Sequence, residues 1–331
     1  MDDFGRRWVN LASARLGAEA IACSDDFFAP MCRMIKDESP VFIDGKYDDH
    51  GKWMDGWESR RKREPGHDWC VVRLAKPGVL QGLEISTEHF TGNYPPEASI
   101  EGCYSKSDDL NTMQWEKLLE KTTLEGNSRY SSRISDTGVY THVRLNIFPD
   151  GGIARLRVYA KPNIDWSQYG PGQLVDIAAS LHGGVSLACN DEHFGSIRNL
   201  LMPGRGVNMG DGWETRRRRE EGNDWVLISL ARAGTIRKVI VDTAHFKGNY
   251  PESCSIQGMN KQNVVIDTLE RRSEDWPVLL PRVKLQADTE HQFTKEIIQL
   301  GPITHVRLNI YPDGGVSRLR LLADVSSFEK T

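Results

Sequence analysis

Three stretches of the chain concentrate the residue types used for anion binding and proton transfer, and each occurs twice. DGWESRRKREPGHDW (Asp55–Trp69) returns as DGWETRRRREEGNDW (Asp211–Trp225), with 11 of 15 positions identical. HFTGNYP (His89–Pro95) returns as HFKGNYP (His245–Pro251). THVRLNIFPDGGIARLR (Thr141–Arg157) returns as THVRLNIYPDGGVSRLR (Thr304–Arg320), with 14 of 17 positions identical.

In the first stretch, Arg60, Arg61, Arg216 and Arg217 stand at unchanged positions. A guanidinium fork matches a carboxylate bidentately, so one or two inward-pointing arginines would hold a small anion. The plain alternative is a surface salt-bridge network, which explains the charge but not the retained glycines and tryptophans. Glu58 and Glu214 supply a carboxylate to the same stretch. In the third stretch, His142, Arg144 and Asn146 alternate with apolar residues, as do His305, Arg307 and Asn309. Three polar residues in a row on one strand face argue against a core face and for solvent or a pocket wall. There Arg144, Asn146, Arg307 and Asn309 could grip a polar ligand, while Asp150 and Asp313 in the Pro-Asp-Gly-Gly turn supply a carboxylate or merely close the turn. His89 and His245, at strand ends, suit a general base, a metal ligand or a satisfied donor. Asn93 and Asn249 read as left-handed turn residues.

Other chemistries recede. Net charge is −4, and acids flank both arginine runs, so no positive surface recruits nucleic acid. No Walker loop, nucleophile elbow or dinucleotide fingerprint appears. One histidine per motif is a weak zinc signal; the acids and histidines permit a divalent metal with O/N ligands, yet no spacing demands a cofactor, and the metal stays unknown. No apolar run is long enough to span a membrane and the first twenty residues lack a secretory pattern, so the expected place is the cytoplasm. The six cysteines form no C-x-x-C pair, consistent with free thiols there.

The elements that must position these residues are two copies of one domain. ACSDDFF and ACNDEHF repeat at an offset of 166, the next two motifs at 156 and the last at 163. Copy one therefore carries about ten extra residues before Asp55, and copy two about seven between Gly258 and Thr304. The spacing suggests domains at 1–165 and 173–331, joined by a linker at 166–172 within KPNIDWSQYGPGQ. Strand signals dominate, as in DWVLISLARAGTIRKVIVD, and imply an all-β protein: two tandem jelly-roll β-sandwiches of the galactose-binding type. A few short helices are expected, among them QWEKLLEK (Gln114–Lys121). The copies are unequal in places: His67 faces Asn223, and Phe27 faces His193.

These motifs, together with NLASARLGAEAIACSDDFFAP, resemble the allantoicase (allantoate amidinohydrolase) family from about Asn10 to Ala323. The resemblance implies two jelly-roll repeats, a homo-oligomer, and hydrolysis of allantoate to ureidoglycolate and urea in purine breakdown. Allantoate is a small anion with one carboxylate and two ureido groups on one carbon. The arginines, with Arg144 and Arg307, would then bind the anion. Glu58, Glu214, Asp150, Asp313, His89 and His245 are the acid/base candidates. A non-catalytic tandem sugar-binding module and an enzyme acting on a related ureido compound such as ureidoglycolate are the alternatives; the retained charged residues favour a charged substrate.

Overall fold

The computed structural model describes residues 4–261 and 266–325. The chain divides into two compact units, Met1–Asn163 and Ile164–Thr331. Each unit is organised by one 19-residue strand that runs through both layers of a sandwich. In unit one this is β1 (Asp68–Ser86), with β2 (Glu97–Cys103), β3 (Val139–Phe148) and β4 (Arg155–Pro162). The first half of β1 pairs antiparallel with β3, from Asp68 opposite Ile147 to Arg73 opposite His142, and its second half pairs with β4. β2 flanks β3 on its other side. Unit two repeats the plan with β5 (Asp224–Asp242), β6 (Ser253–Met259), β7 (Pro302–Tyr311) and β8 (Arg318–Asp324), in the same order across the sheet.

The period-2 pattern explains the core. Val143, Leu145 and Ile147 of β3 face inward with Cys70 and Val72 of β1, and all are buried. Val306, Leu308 and Ile310 do the same in unit two, packed with Val226, Ile228 and Trp213.

The opposite face of β3 and β7 departs from expectation. His142, Asn146, Arg307 and Asn309 are buried, and Arg144 is half-buried. The covering element is the chain that follows β2 or β6. In unit one it brings Asp108 to 3.1 Å from His142 Nε2 and Trp115 to 4.7 Å from the Arg144 guanidinium. In unit two Ser273 accepts a 2.6 Å hydrogen bond from Arg307, and Trp276 lies against His305. Polar side chains that meet partners under a returning loop can be buried at small cost, and on this face the Asn146 Oδ1 is a buried atom left without a hydrogen-bond partner among the described residues.

The expected helix at Gln114–Lys121 is also replaced: Glu116–Thr123 is a strand, with Leu119 paired opposite Ile100 of β2. Pairing along a sheet edge overrides a local helical preference. Among the described residues the α-helix is Ile266–Arg272, inside the extra segment of copy two. The extra segment of copy one holds a small hairpin, Tyr47–Asp48 against Gly51–Lys52.

A buried ion pair ties loop to sheet in each unit. Arg155, the first residue of β4, places Nη2 2.6 Å from Asp55 Oδ2 and donates to the carbonyls of Asp55 and Glu38, each at 2.8 Å. Arg318 of β8 repeats this with Asp211 Oδ2 at 2.8 Å. Burial alone would push the Asp55 carboxyl up, but hydrogen bonds from Arg155 and Lys36 outweigh it and hold the carboxyl below its usual range. Beside these aspartates, Trp57 and Trp213 are fully buried and donate their indole N–H to the carbonyls of Asp25 and Asp191.

Two stability measurements follow from these pairs and burials. Replacing Arg155 by Met leaves buried Asp55 with Lys36, 2.9 Å away, as its remaining cationic partner and leaves the Asp55 and Glu38 carbonyls without their donor, and chemical denaturation should register a loss of about 1–3 kcal/mol. Burial, with help from the Lys261 charge, lowers the His305 pKa to about 4. Between there and about 6.5 the unfolded chain binds the extra proton, so stability falls as pH falls through that window. From pH 7 to pH 5 the wild type should lose about 1–2 kcal/mol that His305→Asn does not lose.

Candidate active site

The three repeated stretches meet at one end of each sandwich, and main-chain contacts hold them together. The N–H of Gly152 donates to the carbonyl of Asn93 at 2.7 Å, and that of Gly315 to the carbonyl of Asn249 at 2.8 Å. The Ser59 and Thr215 N–H groups donate to the carbonyls of Gly151 and Gly314 at 3.2 and 3.1 Å. The glycines are dictated by this contact. Gly314 has φ +131°, and a Cβ there would lie 2.6 Å from the Asn249 carbonyl; one on Gly315 would lie 2.0 Å from the Phe246 ring.

The arginine run is taken apart residue by residue. Arg60 and Arg216 are exposed and clasp Asp25 and Asp191 through both backbone N–H and guanidinium. Lys62 reaches back to buried Asp68 at 2.8 Å, and Arg218 to buried Asp224. The Asp150 and Asp313 carboxylates each accept the N–H of Lys62 or Arg218 at 2.8 Å through Oδ2, which fixes the loop's path. Among the described residues, the guanidiniums of Arg61 and Arg217 have no carboxylate partner.

In unit two the loops border an open cleft of about 570 Å³, lined by Glu214, Thr215, Arg217, Asn249, Tyr250 and Asp313, with Glu252 and Lys284 also on its wall. Glu214 accepts a hydrogen bond from Asn249 Nδ2 on Oε1, and its Oε2 has no partner among the described residues. Unit one repeats the contact, Asn93 Nδ2 to Glu58 Oε1 at 2.7 Å. Burial pushes the Glu58 carboxyl up, and the Asn93 hydrogen bond opposes that shift. Glu252 is held down to about 2 by hydrogen bonds from Ser253, Lys284 and Arg282, which keeps it ionised.

Of the residues singled out by sequence, Glu214, Arg217 and Asp313 come together on this wall. Arg216, His245, Arg307 and Asn309 lie outside the lining. His245 Nε2 meets the Gly206 carbonyl at 2.7 Å, and His89 Nε2 the Pro40 carbonyl at 3.1 Å. Arg307 donates to Asn309, and Arg144 and Asn146 both donate to Glu101, so these four serve the covered sheet face. The left-handed conformation expected at Asn93 and Asn249 belongs to His89 and His245, with φ 69° and 71°. Sequence reasoning read Asn249 as a turn residue and passed over Thr215, Tyr250, Glu252 and Lys284. Asn249, Thr215 and Tyr250 sit in repeated motifs; Lys284 comes from a stretch with no repeat signal. Among the described residues, no three His, Cys, Asp or Glu side chains converge on a metal site.

Comparison with known proteins places this architecture. A family model of the allantoicase repeat matches residues 9–163 and again 175–326. The chain is 58% identical over 320 residues to a probable allantoicase of Burkholderia mallei, covering 96% of this chain and 95% of that protein. It is 54% identical to a probable allantoicase of Ralstonia nicotianae, covering 96% and 95%. The crystal structure of allantoicase from Saccharomyces cerevisiae superposes with a TM-score of 0.80 at 34% identity, covering 95% of this chain and 92% of that one.

Proposed function

The chain belongs to the allantoicase family, and from that membership we propose that it hydrolyses allantoate to ureidoglycolate and urea at the cavity walled by Glu214, Arg217, Asn249 and Asp313. The observation that carries the assignment is the unpaired Arg217 guanidinium on the same wall as two carboxylates that each keep a free oxygen. Arg217 receives the substrate carboxylate as a fork. That places the central carbon, with its two ureido groups, against Glu214 and Asp313. Release of urea breaks one carbon–nitrogen bond and forms one carbon–oxygen bond from water. One proton leaves the water and one must reach the departing nitrogen. Glu214 and Asp313 carry this traffic by general acid–base catalysis. In unit one Asn93 with Glu58 and Lys62 with Asp150 keep the same hydrogen bonds, and Arg61 likewise has no carboxylate partner among the described residues, so the assignment extends to Glu58, Arg61, Asn93 and Asp150. A cytoplasmic, self-associating enzyme is part of this reading; no helix among the described residues is long and apolar enough to cross a membrane.

Urea release from allantoate by the purified protein tests the assignment, with turnover expected to survive a chelator because side chains move the protons. Glu58→Gln with Glu214→Gln should lower kcat by about 10²–10⁴-fold. Arg61→Ala with Arg217→Ala should lower kcat/KM about 100-fold, whereas Arg60→Ala with Arg216→Ala, which breaks only exposed pairs, should change it less than about fivefold. Equal effects from the two arginine pairs would remove Arg61 and Arg217 from the anion-binding role.

A further inference from the structure

Asn93 and Asn249 do two jobs with one residue. The main-chain carbonyl accepts from Gly152 or Gly315 and fastens the Gly-Asn-Tyr-Pro turn to the Pro-Asp-Gly-Gly turn. The side-chain amide turns the other way and donates to Oε1 of Glu58 or Glu214. The glutamate itself is immobile at its backbone. Glu58 pairs with Gly152 on one side and exchanges hydrogen bonds with Ala29 on the other, at 3.0 and 3.2 Å; Glu214 pairs with Gly315 and meets Gly195. With the backbone fixed and one carboxylate oxygen held, the remaining freedom is that of the second oxygen, which has no partner among the described residues in either unit.

We propose that Asn93 and Asn249 are positioning residues: each holds its glutamate by a single oxygen so that the other oxygen is aimed for proton transfer. This rests on the reading that Glu58 and Glu214 move protons. The contact recurs in both units although the surroundings differ. Asn249 also approaches the Met209 sulfur at 3.8 Å, whereas the chain before Asp55 in unit one carries an inserted hairpin instead. A contact needed only to close the turn would be redundant, because the carbonyl bonds of the same asparagines already close it. The charge environment is defined as well. On the elements packed against Glu58 stand Asp25, Arg60, Arg61 and Asp150. Around Glu214 stand Asp191, His193, Arg216, Arg217, Glu252, Lys284 and Asp313, with Glu252 and Lys284 paired at 3.1 Å. None of these is altered by a change at the asparagine, so a change in pH response reports the amide.

An N–H donor to a carboxylate favours the ionised form. Removing it lets the group take up its proton at higher pH. In Asn93→Ala/Asn249→Ala the acid limb of kcat for allantoate should therefore move up by about one pH unit. The loosened carboxylate should lower kcat about 10–100-fold at the plateau, with KM within about twofold of wild type. Asn93→Asp/Asn249→Asp, which sets a second negative charge beside the glutamate, should move the limb further in the same direction. A wild-type acid limb and kcat in both pairs, or a change confined to KM, overturns the proposal. Should the alanine pair fail to fold, Asn93→Ser/Asn249→Ser is read in the same way. Glu58→Gln/Glu214→Gln separates the two levels. Full turnover in that variant removes the proton-transfer reading itself, whereas its loss together with unchanged asparagine variants removes only the positioning role.

Discussion

A guanidinium taken out of water must be answered on every side, and Arg155 and Arg318 are answered by the elements that frame the site. Each meets the aspartate of its own Asp-Gly-Trp sequence and the carbonyls of the loop before it. Parted from its aspartate, either buried guanidinium would lose its carboxylate partner, so strand and loop are bound to one geometry. The tryptophan two residues on seals the same corner and presents its indole N–H to the Asp25 or Asp191 carbonyl, and the side chain of that aspartate restrains the first arginine of the run. The path from β4 or β8 to the arginine loop is thus a continuous series of specific contacts, and the functional groups stand at its end.

This arrangement explains why four consecutive cationic residues need not form a basic patch. The first and third are neutralised by local carboxylates and the backbone of the third is capped by the turn aspartate; the second and fourth have no carboxylate partner among the described residues, and of these two the second lines the cavity in unit two. A net charge summed over the run conceals that division of labour.

The duplication, the strands and the importance of the arginine loop were legible in the sequence because they rest on local periodicity and on identity between the copies. Other features depended on partners distant in the chain. The polar face of β3 and β7 looks exposed until the loop carrying Asp108 or Ser273 is folded onto it. Gln114–Lys121 favours a helix until Leu119 finds Ile100 across a sheet edge. Asn249 resembles a turn residue until Glu214 is brought alongside it by residues 35 positions earlier. Arg155 and Arg318 lay within an obvious repeat, but nothing in the motif said which way they would point.

The frame that unites the three loops is made almost wholly of main-chain atoms and glycines, while the wall around the cavity is made of side chains. Where copy two places Glu252 and Lys284, the aligned positions of copy one hold Pro96 and Thr123, yet the Gly152 and Gly315 contacts match within 0.1 Å. Architecture and chemistry are thereby uncoupled. Mutation can alter the side chains around either set of loops without disturbing the skeleton behind them, and a gene that carries the skeleton twice can vary one set while the other continues unchanged.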